Sequence, residues 1–134
     1  MTTEIRGLEV FDHAVMRWCP VTGIRKGSKR LAGWLVRYSE RSVIHITDPN
    51  RLRRWDLRVG LDILHNVEGD WLGEVKHWRA AHRTPTGRMV DRFVAKAAPD
   101  WEVIHNYSSR KAARRAVERH ATQLITQDHE ETTT

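Results

Sequence analysis

The sequence contains a single cysteine, Cys19, among its 134 residues. One cysteine cannot form a disulfide within the chain or build a cysteine-based zinc cluster. No apolar run approaches the ~20 residues that span a bilayer. The segment Met1–Arg6 also lacks the basic start and apolar core of a secretory signal. We therefore expect a cytoplasmic protein with no membrane partner.

The short motifs that identify a catalytic centre are missing as well. The sequence has no glycine-rich phosphate loop, no nucleophile elbow and no helical His-Glu metal motif. Eight histidines are present, but His77 and His82 are five positions apart, whereas helical metal-binding pairs are three or four apart. We expect a protein that is not an enzyme and that holds no cofactor and no metal.

Negative charge is scarcer than positive charge. The 23 Lys and Arg residues outnumber the 17 Asp and Glu residues, for a net charge of +6 with neutral histidines. Three of the acids, Asp128, Glu130 and Glu131, lie near the end of the printed sequence, so the remainder carries +9. Such a balance favours polyanions, and nucleic acid is the partner that we expect.

The length and the 40% hydrophobic content fit one folded domain. We expect a single α+β domain over residues 1–126, followed by an acidic, Thr-rich disordered tail over residues 127–134.

Two β-hairpins are predicted from alternating apolar residues. The first joins Gly33–Tyr38 to Ser42–Thr47 across the turn Ser39–Arg41, and the second joins Met89–Ala97 to Trp101–Tyr107 across Ala98–Asp100. Ser108 or Ser109 then caps a terminal helix.

Residues 49–65 carry two conflicting signals. Asp48 and Pro49 are typical of a helix start, which favours a helix from Pro49 to about His65. Alternation is the opposing signal, and it is typical of a strand; its apolar positions are Trp55, Leu57, Val59, Leu61 and Ile63. The helix is our prediction, and the choice for residues 55–64 stays open.

A further helix is predicted after the turn Val67–Gly69. Asp70 can cap it, and Trp71, Val75 and Trp78 follow at helical spacing. Two helices around a short turn fit either a DNA-reading helix-turn-helix or an ordinary packed helical hairpin. The predicted fold is thus a small antiparallel sheet built from hairpins with two or three helices, the C-terminal helix packed on the sheet.

The terminal helix has an apolar side and a basic side. At 100° per residue the apolar side contains Ala113, Ala116, Val117, His120 and Leu124. A basic loop, residues 25–30, lies earlier in the chain and is rich in glycine and serine. We expect both basic segments to contact backbone phosphates of DNA or RNA, although solvated surfaces explain the same charges. The candidate binding residues are Arg110, Lys111, Arg114, Arg115 and Arg119 of the helix and Arg25, Lys26, Lys29 and Arg30 of the loop.

The run Ser109–Ala116 resembles the opening of the last helix in double-stranded-RNA-binding domains. It is also similar in outline to the sheet-plus-helix arm-binding domains of phage integrases. Both resemblances cover this short segment alone, and both imply a nucleic-acid partner.

Six tryptophans are many for this length. Core burial is the ordinary expectation for most of them, but exposed Trp and Arg residues also dominate protein interfaces. The alternative function is therefore a small adaptor or inhibitor that binds another protein through a Trp/Arg-rich surface.

Overall fold

The computed structural model describes residues 5–39 and 42–133, with side chains up to residue 126. The described chain is mostly β-structure, with ten strands, one 3₁₀ turn (Pro49–Arg51) and one α-helix. The predicted α+β fold with two or three helices is therefore wrong. The strands are β1 (Glu9–Asp12), β2 (Arg17–Pro20), β3 (Gly23–Lys26), β4 (Trp34–Ser39), β5 (Ser42–Ile46), β6 (Leu52–Arg58), β7 (Leu61–Asn66), β8 (Trp71–Arg83), β9 (Met89–Ala97) and β10 (Val103–Tyr107), and the helix is α1 (Arg110–Thr133).

The strands form two sheets. One has seven strands in the order β10-β9-β8-β7-β6-β1-β2, and the other has three in the order β3-β4-β5. The chain divides into two compact units, one containing Met1–Trp55 and Asn66–Asp70 and the other Asp56–His65 and Trp71–Thr134. We call these unit 1 and unit 2. The expected single domain over residues 1–126 stays a prediction.

The helix predicted from Pro49 to His65 is replaced by one 3₁₀ turn and two strands. Asp48 does cap this turn, because its carboxylate accepts a hydrogen bond from the Asn50 N–H at 2.9 Å. A cap stabilises a helix by only about 1 kcal/mol. The alternation beyond it instead allows strands β6 and β7 to pair, and Ile63 and Leu64 become buried. The strand pattern was therefore the stronger signal.

The second predicted helix is also a strand, β8. Buried residues lie on both faces near its start, with Leu72 on one side and Gly73 and Val75 on the other. Adjacent buried residues hide the simple alternation of a strand, so the spacing of Trp71, Val75 and Trp78 resembles that of a helix. Both alternatives that rested on two helices here, the helix-turn-helix and the packed helical hairpin, are wrong with it.

Both predicted hairpins and the terminal helix are confirmed. Strands β4 and β5 pair antiparallel, as do β9 and β10. Two residues of the first predicted turn, Glu40 and Arg41, lie outside the described residues. Helix α1 is capped by Ser109, whose Oγ accepts a hydrogen bond from the Ala112 N–H at 3.1 Å.

Unit 1 has an apolar core and a part-buried hydrogen bond between two polar side chains. Val10, Val36, Ile46 and Leu52 are fully buried in that core. The Tyr38 hydroxyl donates to Asp12 Oδ2 at 2.6 Å. This bond is the main reason that the pKa of Asp12 is lowered, and it raises the pKa of Tyr38.

Unit 2 contains the end of β6, most of β7 and the strands β8, β9 and β10, and helix α1 packs on β8, β9 and β10. Gly73 lies under the helix at Val117, where close packing leaves no room for a Cβ. The buried side of α1 comprises Ala113, Ala116, Val117, Ala121 and Ile125. The predicted stripe differs at its end, because His120 is exposed and Leu124 is half-buried. A straight helix on a twisted sheet changes its contact face along its length.

Candidate functional site

The start of helix α1 brings two of the predicted binding residues into a cavity of unit 2. Arg110 and Arg114 are one turn apart and line an open cavity of about 450 Å³. Arg58, at the end of β6, and Arg79, in β8, line the same cavity. We call these four residues the arginine cluster. It unites three elements that are distant in the sequence.

Asp62 is the acidic residue among those that line this cavity. Its side chain is 2% exposed, and its Oδ2 lies 3.4 Å from Arg110 Nε. The Arg110 guanidinium also lies over the ring of Phe93, 5.5 Å from the ring centre. An ion pair and a cation–π contact therefore hold Arg110 at the wall of the cavity.

The connection between β6 and β7 brings Arg58 to the cavity. Val59 and Gly60 link the two strands, and Gly60 has a positive φ of 76°, which glycine adopts at no steric cost. The Gly60 carbonyl accepts a hydrogen bond from the His77 N–H at 3.0 Å, which ties this turn to β8. Arg58 itself contacts Asp56 at 3.0 Å, with both side chains largely exposed.

Arg79 lies in β8 at an irregularity of the β8–β9 ladder. The register shifts between Trp78 and His82, and Ala80 has a positive φ of 49°. Asp91 of β9 stabilises this shape, since its Oδ1 accepts a hydrogen bond from the Ala80 N–H at 2.9 Å and its Oδ2 contacts His77 Nε2 at 2.8 Å. The Ala80 bond is the main cause of the lowered pKa of Asp91, followed by the His77 contact.

The other helix residues of the prediction form an exposed stripe. Lys111, Arg115 and Arg119 follow one another at intervals of four residues, and all three are exposed. Residues at this interval share one side of a helix. Because Lys111 and Arg115 directly follow Arg110 and Arg114 in the chain, their stripe adjoins the stripe that lines the cavity.

The predicted basic loop belongs to unit 1. Arg25 and Lys26 end strand β3, while Lys29 and Arg30 lie in the following connection, and all four are exposed. The Gly27 N–H donates to the Gly33 carbonyl at 2.7 Å, which closes this connection. The predicted binding residues thus fall into two sets, one in each compact unit.

Arg58 and Arg79 are the cluster residues that sequence reasoning missed. Both fall in segments that were interpreted as helices, and their approach to Arg110 depends on the pairing of strands far apart in the chain. The sequence signal that could have found Arg58 is Gly60 between two alternating runs, because a glycine at such a point supplies the positive φ of a tight turn.

A second cavity of unit 2 is lined by apolar and polar residues together. Trp78 lies opposite Arg92 across the β8–β9 ladder and is 52% exposed. Val94 and Val103 also line this cavity, whose volume is about 450 Å³. A half-exposed tryptophan beside an arginine is a combination found at protein interfaces.

Comparison of the chain with protein-family models, with curated proteins and with solved structures finds no match. In the part of the chain that the structure describes, no helix is long and apolar enough to cross a membrane. Across the same residues, no three His, Cys, Asp or Glu side chains converge as metal ligands. The candidate site is therefore judged by its own geometry and charge.

Proposed function

We propose that this protein binds nucleic acid without catalysis, through contacts of the arginine cluster with backbone phosphates. The observation that carries the proposal is the presence of four arginines around one cavity, together with one carboxylate, Asp62, among the described residues that line it. Arg58 is paired with Asp56 and Arg110 with Asp62, and each guanidinium group keeps further N–H donors from which phosphate oxygens accept hydrogen bonds. Arginine also binds phosphate oxygens in a bidentate manner.

The exposed stripe on α1 extends this surface. Lys111, Arg115 and Arg119 add three positive charges beside the cluster. Cations in a row suit the regular spacing of phosphates along a nucleic-acid backbone, and each phosphate contact releases condensed counterions. The set Arg25, Lys26, Lys29 and Arg30 of unit 1 supplies a second group of exposed cations for the same partner.

Fluorescence anisotropy with labelled DNA and RNA at two salt concentrations tests the proposal. The variant Arg58→Gln/Arg79→Gln/Arg114→Gln removes three positive charges from the cluster and keeps Arg110, which compensates the buried Asp62. We expect binding to weaken about 10- to 100-fold at low salt, and the slope of log K against log salt to become shallower by about 2 to 3 units.

The control is Arg6→Gln/Arg17→Gln/Arg37→Gln, which removes the same charge from exposed positions of unit 1. We expect it to weaken binding by less than about threefold, because these three residues belong to neither proposed set of phosphate contacts and charges without such a contact act only through the screened overall field. Equal losses in the two variants would refute the cluster as the site. No binding of the wild-type chain to any nucleic acid at low salt would refute the function.

A second candidate function is binding of another protein, and the exposed Trp78 beside Arg92 favours it. In that case a pulldown after nuclease treatment recovers a stoichiometric protein partner with the wild-type chain. The variant Trp78→Ala is expected to lose this partner, because truncation of a tryptophan at the centre of an interface costs about 2 kcal/mol or more. A pulldown that yields no stoichiometric protein counts against this function.

A further inference from the structure

Beyond the packed part of unit 2, strands β8 and β9 continue as a two-stranded ribbon. In the described registers, β7 accompanies β8 up to Lys76, and β10 accompanies β9 up to Phe93. From Trp78 to Arg92 the described residue pairs are between β8 and β9. We call residues 78–92 the ribbon.

The ribbon is exposed on both faces. Every residue from Trp78 to Met89 is exposed except the half-buried Thr84. The pairs Trp78–Arg92 and His82–Val90 lie on one face, and the pair Arg83–Met89 lies on the other. Isolated two-stranded hairpins are marginal in water, so a ribbon with two solvated faces gains stability from a partner that covers it.

The charge of the ribbon indicates the chemistry of that partner. It contains Arg79, Arg83, Arg88 and Arg92 against one acid, Asp91, which amounts to +3 with neutral histidines. Arg79 belongs to the arginine cluster as well, so the base of the ribbon and the cavity share a residue.

The ribbon has a defined shape at both ends. At its tip the Thr84 N–H donates to the Arg88 carbonyl at 2.8 Å, and the Gly87 N–H donates to the Thr84 carbonyl at 2.9 Å. At its base Asp91 holds the Ala80 N–H. A preformed element loses less conformational entropy on binding than a flexible loop does.

We propose that the ribbon enters the major groove of B-form DNA while the arginine cluster contacts phosphates beside that groove. This inference rests on the proposed function and narrows its partner to duplex DNA. The major groove of B-form DNA is about 12 Å wide and admits a two-stranded β-ribbon. The ribbon has six residues in β8 and four in β9. Four extended residues span about 13 Å, which is more than the groove depth of about 8.5 Å.

In this arrangement the tip of the ribbon contacts base edges and its base contacts the phosphate backbone. Arg83 and Arg88 flank the tip, where they reach base edges, and arginine pairs in a bidentate manner with O6 and N7 of guanine. Arg79 at the base contacts a phosphate together with the remaining cluster. Double-stranded RNA does not fit, because its major groove is too deep and narrow for protein side chains.

Fluorescence anisotropy with four probes of one sequence tests the inference. The probes are duplex DNA, the same duplex with glucosylated 5-hydroxymethylcytosine filling the major groove, duplex RNA, and single-stranded DNA. We expect duplex DNA to bind at least about tenfold more tightly than each of the others, since only its major groove is open to a ribbon. Netropsin, which occupies the minor groove, is expected to leave binding unchanged.

The variant Arg83→Gln/Arg88→Gln isolates the ribbon. Both residues are exposed, so thermal unfolding is expected to match the wild type. Its preference for duplex DNA over duplex RNA should fall about tenfold, because both arginines reach base edges in the open major groove of DNA and have no such access in RNA. The control Arg17→Gln/Arg37→Gln removes the same charge from unit 1 and should keep the preference.

The outcomes separate the two proposals. Equal affinity for plain DNA, glucosylated DNA and duplex RNA, with sensitivity to the triple cluster variant, overturns the ribbon inference and leaves the proposed function standing. A preference for single-stranded DNA that Trp78→Ser abolishes also overturns it, since the ribbon would then be a base-stacking platform. Failure of every probe to bind overturns both.

Discussion

Gly73 is a residue whose identity follows from close packing alone. A Cβ at this position would meet Val117 Cγ1 of helix α1 and, at 2.9 Å, the Lys96 carbonyl oxygen. Val117 is fully buried and β-branched, so its side chain strongly prefers one rotamer in a helix and cannot easily move aside. The missing side chain therefore lets the helix approach the β8–β9 ladder and brings Arg110 to the cavity.

We expect Gly73→Ala to destabilise the protein by about 1 to 3 kcal/mol, as overpacking of a core does. Chemical denaturation monitored by far-UV circular dichroism measures this loss. Gly23→Ala is the control, because a Cβ there meets Arg37 Cβ at an ordinary 3.7 Å. Adding Val117→Ala should recover part of the loss in a double-mutant cycle. Equal stabilities of the two alanine variants would contradict the packing account.

The ion pair of Arg110 and Asp62 means that a substitution of Arg110 would affect both the stability of the fold and the binding of a ligand. Asp62 is almost completely buried, and Arg110 compensates its charge from a more exposed position. Removal of Arg110 would leave a buried carboxylate without this partner, which destabilises a fold. Loss of binding in such a variant could come from unfolding or from the loss of a phosphate contact, and the two causes would not be distinguished. The cluster is therefore tested by substituting its other three arginines.

At the scale of elements, the ribbon depends on one carboxylate. The lowered pKa of Asp91 means that its hydrogen bonds to Ala80 and His77 favour the charged form. A group with a lowered pKa in the folded state stabilises that state above its unfolded pKa and loses this effect as pH falls through the folded pKa. The base of the ribbon should therefore be ordered at neutral pH and loosen in acid.

Nuclear magnetic resonance tests this element directly. We expect the Ala80 amide proton shift to titrate with a midpoint below the ordinary aspartate value of 3.8, because its acceptor is Asp91. The Asp91→Asn variant should remove this titration and raise the hydrogen-exchange rate of the Ala80 amide at neutral pH. A midpoint at or above 3.8 in the wild type would refute the assigned role of Asp91.

The elements that were predicted correctly are those in which local signals agree. Alternation and turn residues coincide in the β4–β5 and β9–β10 hairpins, and Ser109 precedes a helix with an apolar side. Residues 49–79 failed because a helix cap and helical spacing competed with strand pairing. Local preferences of about 1 kcal/mol lose to the burial of whole strands.

At the scale of the whole molecule, only part of the basic surface can be predicted from the sequence. Arg110 and Arg114 were identified from the charge of one helix, whereas Arg58 and Arg79 joined them through the β6–β7 turn and the irregular β8 strand. The ribbon was missed for the same reason, since the first part of β8 was predicted to be a helix. The arginines of the ribbon are not part of any sequence motif that would have drawn attention to them.

The sequence by itself determined the positive charge balance, the two hairpins, the capped terminal helix and the lack of an internal disulfide. These properties depend on composition and on neighbours within a few residues. Only the tertiary structure decided that residues 52–83 form strands and that four arginines from three elements share one cavity. Pairing between segments far apart in the chain produces both the strands and the shared cavity. This pairing is stabilised by burial of apolar surface, which a pattern of neighbouring residues does not reveal.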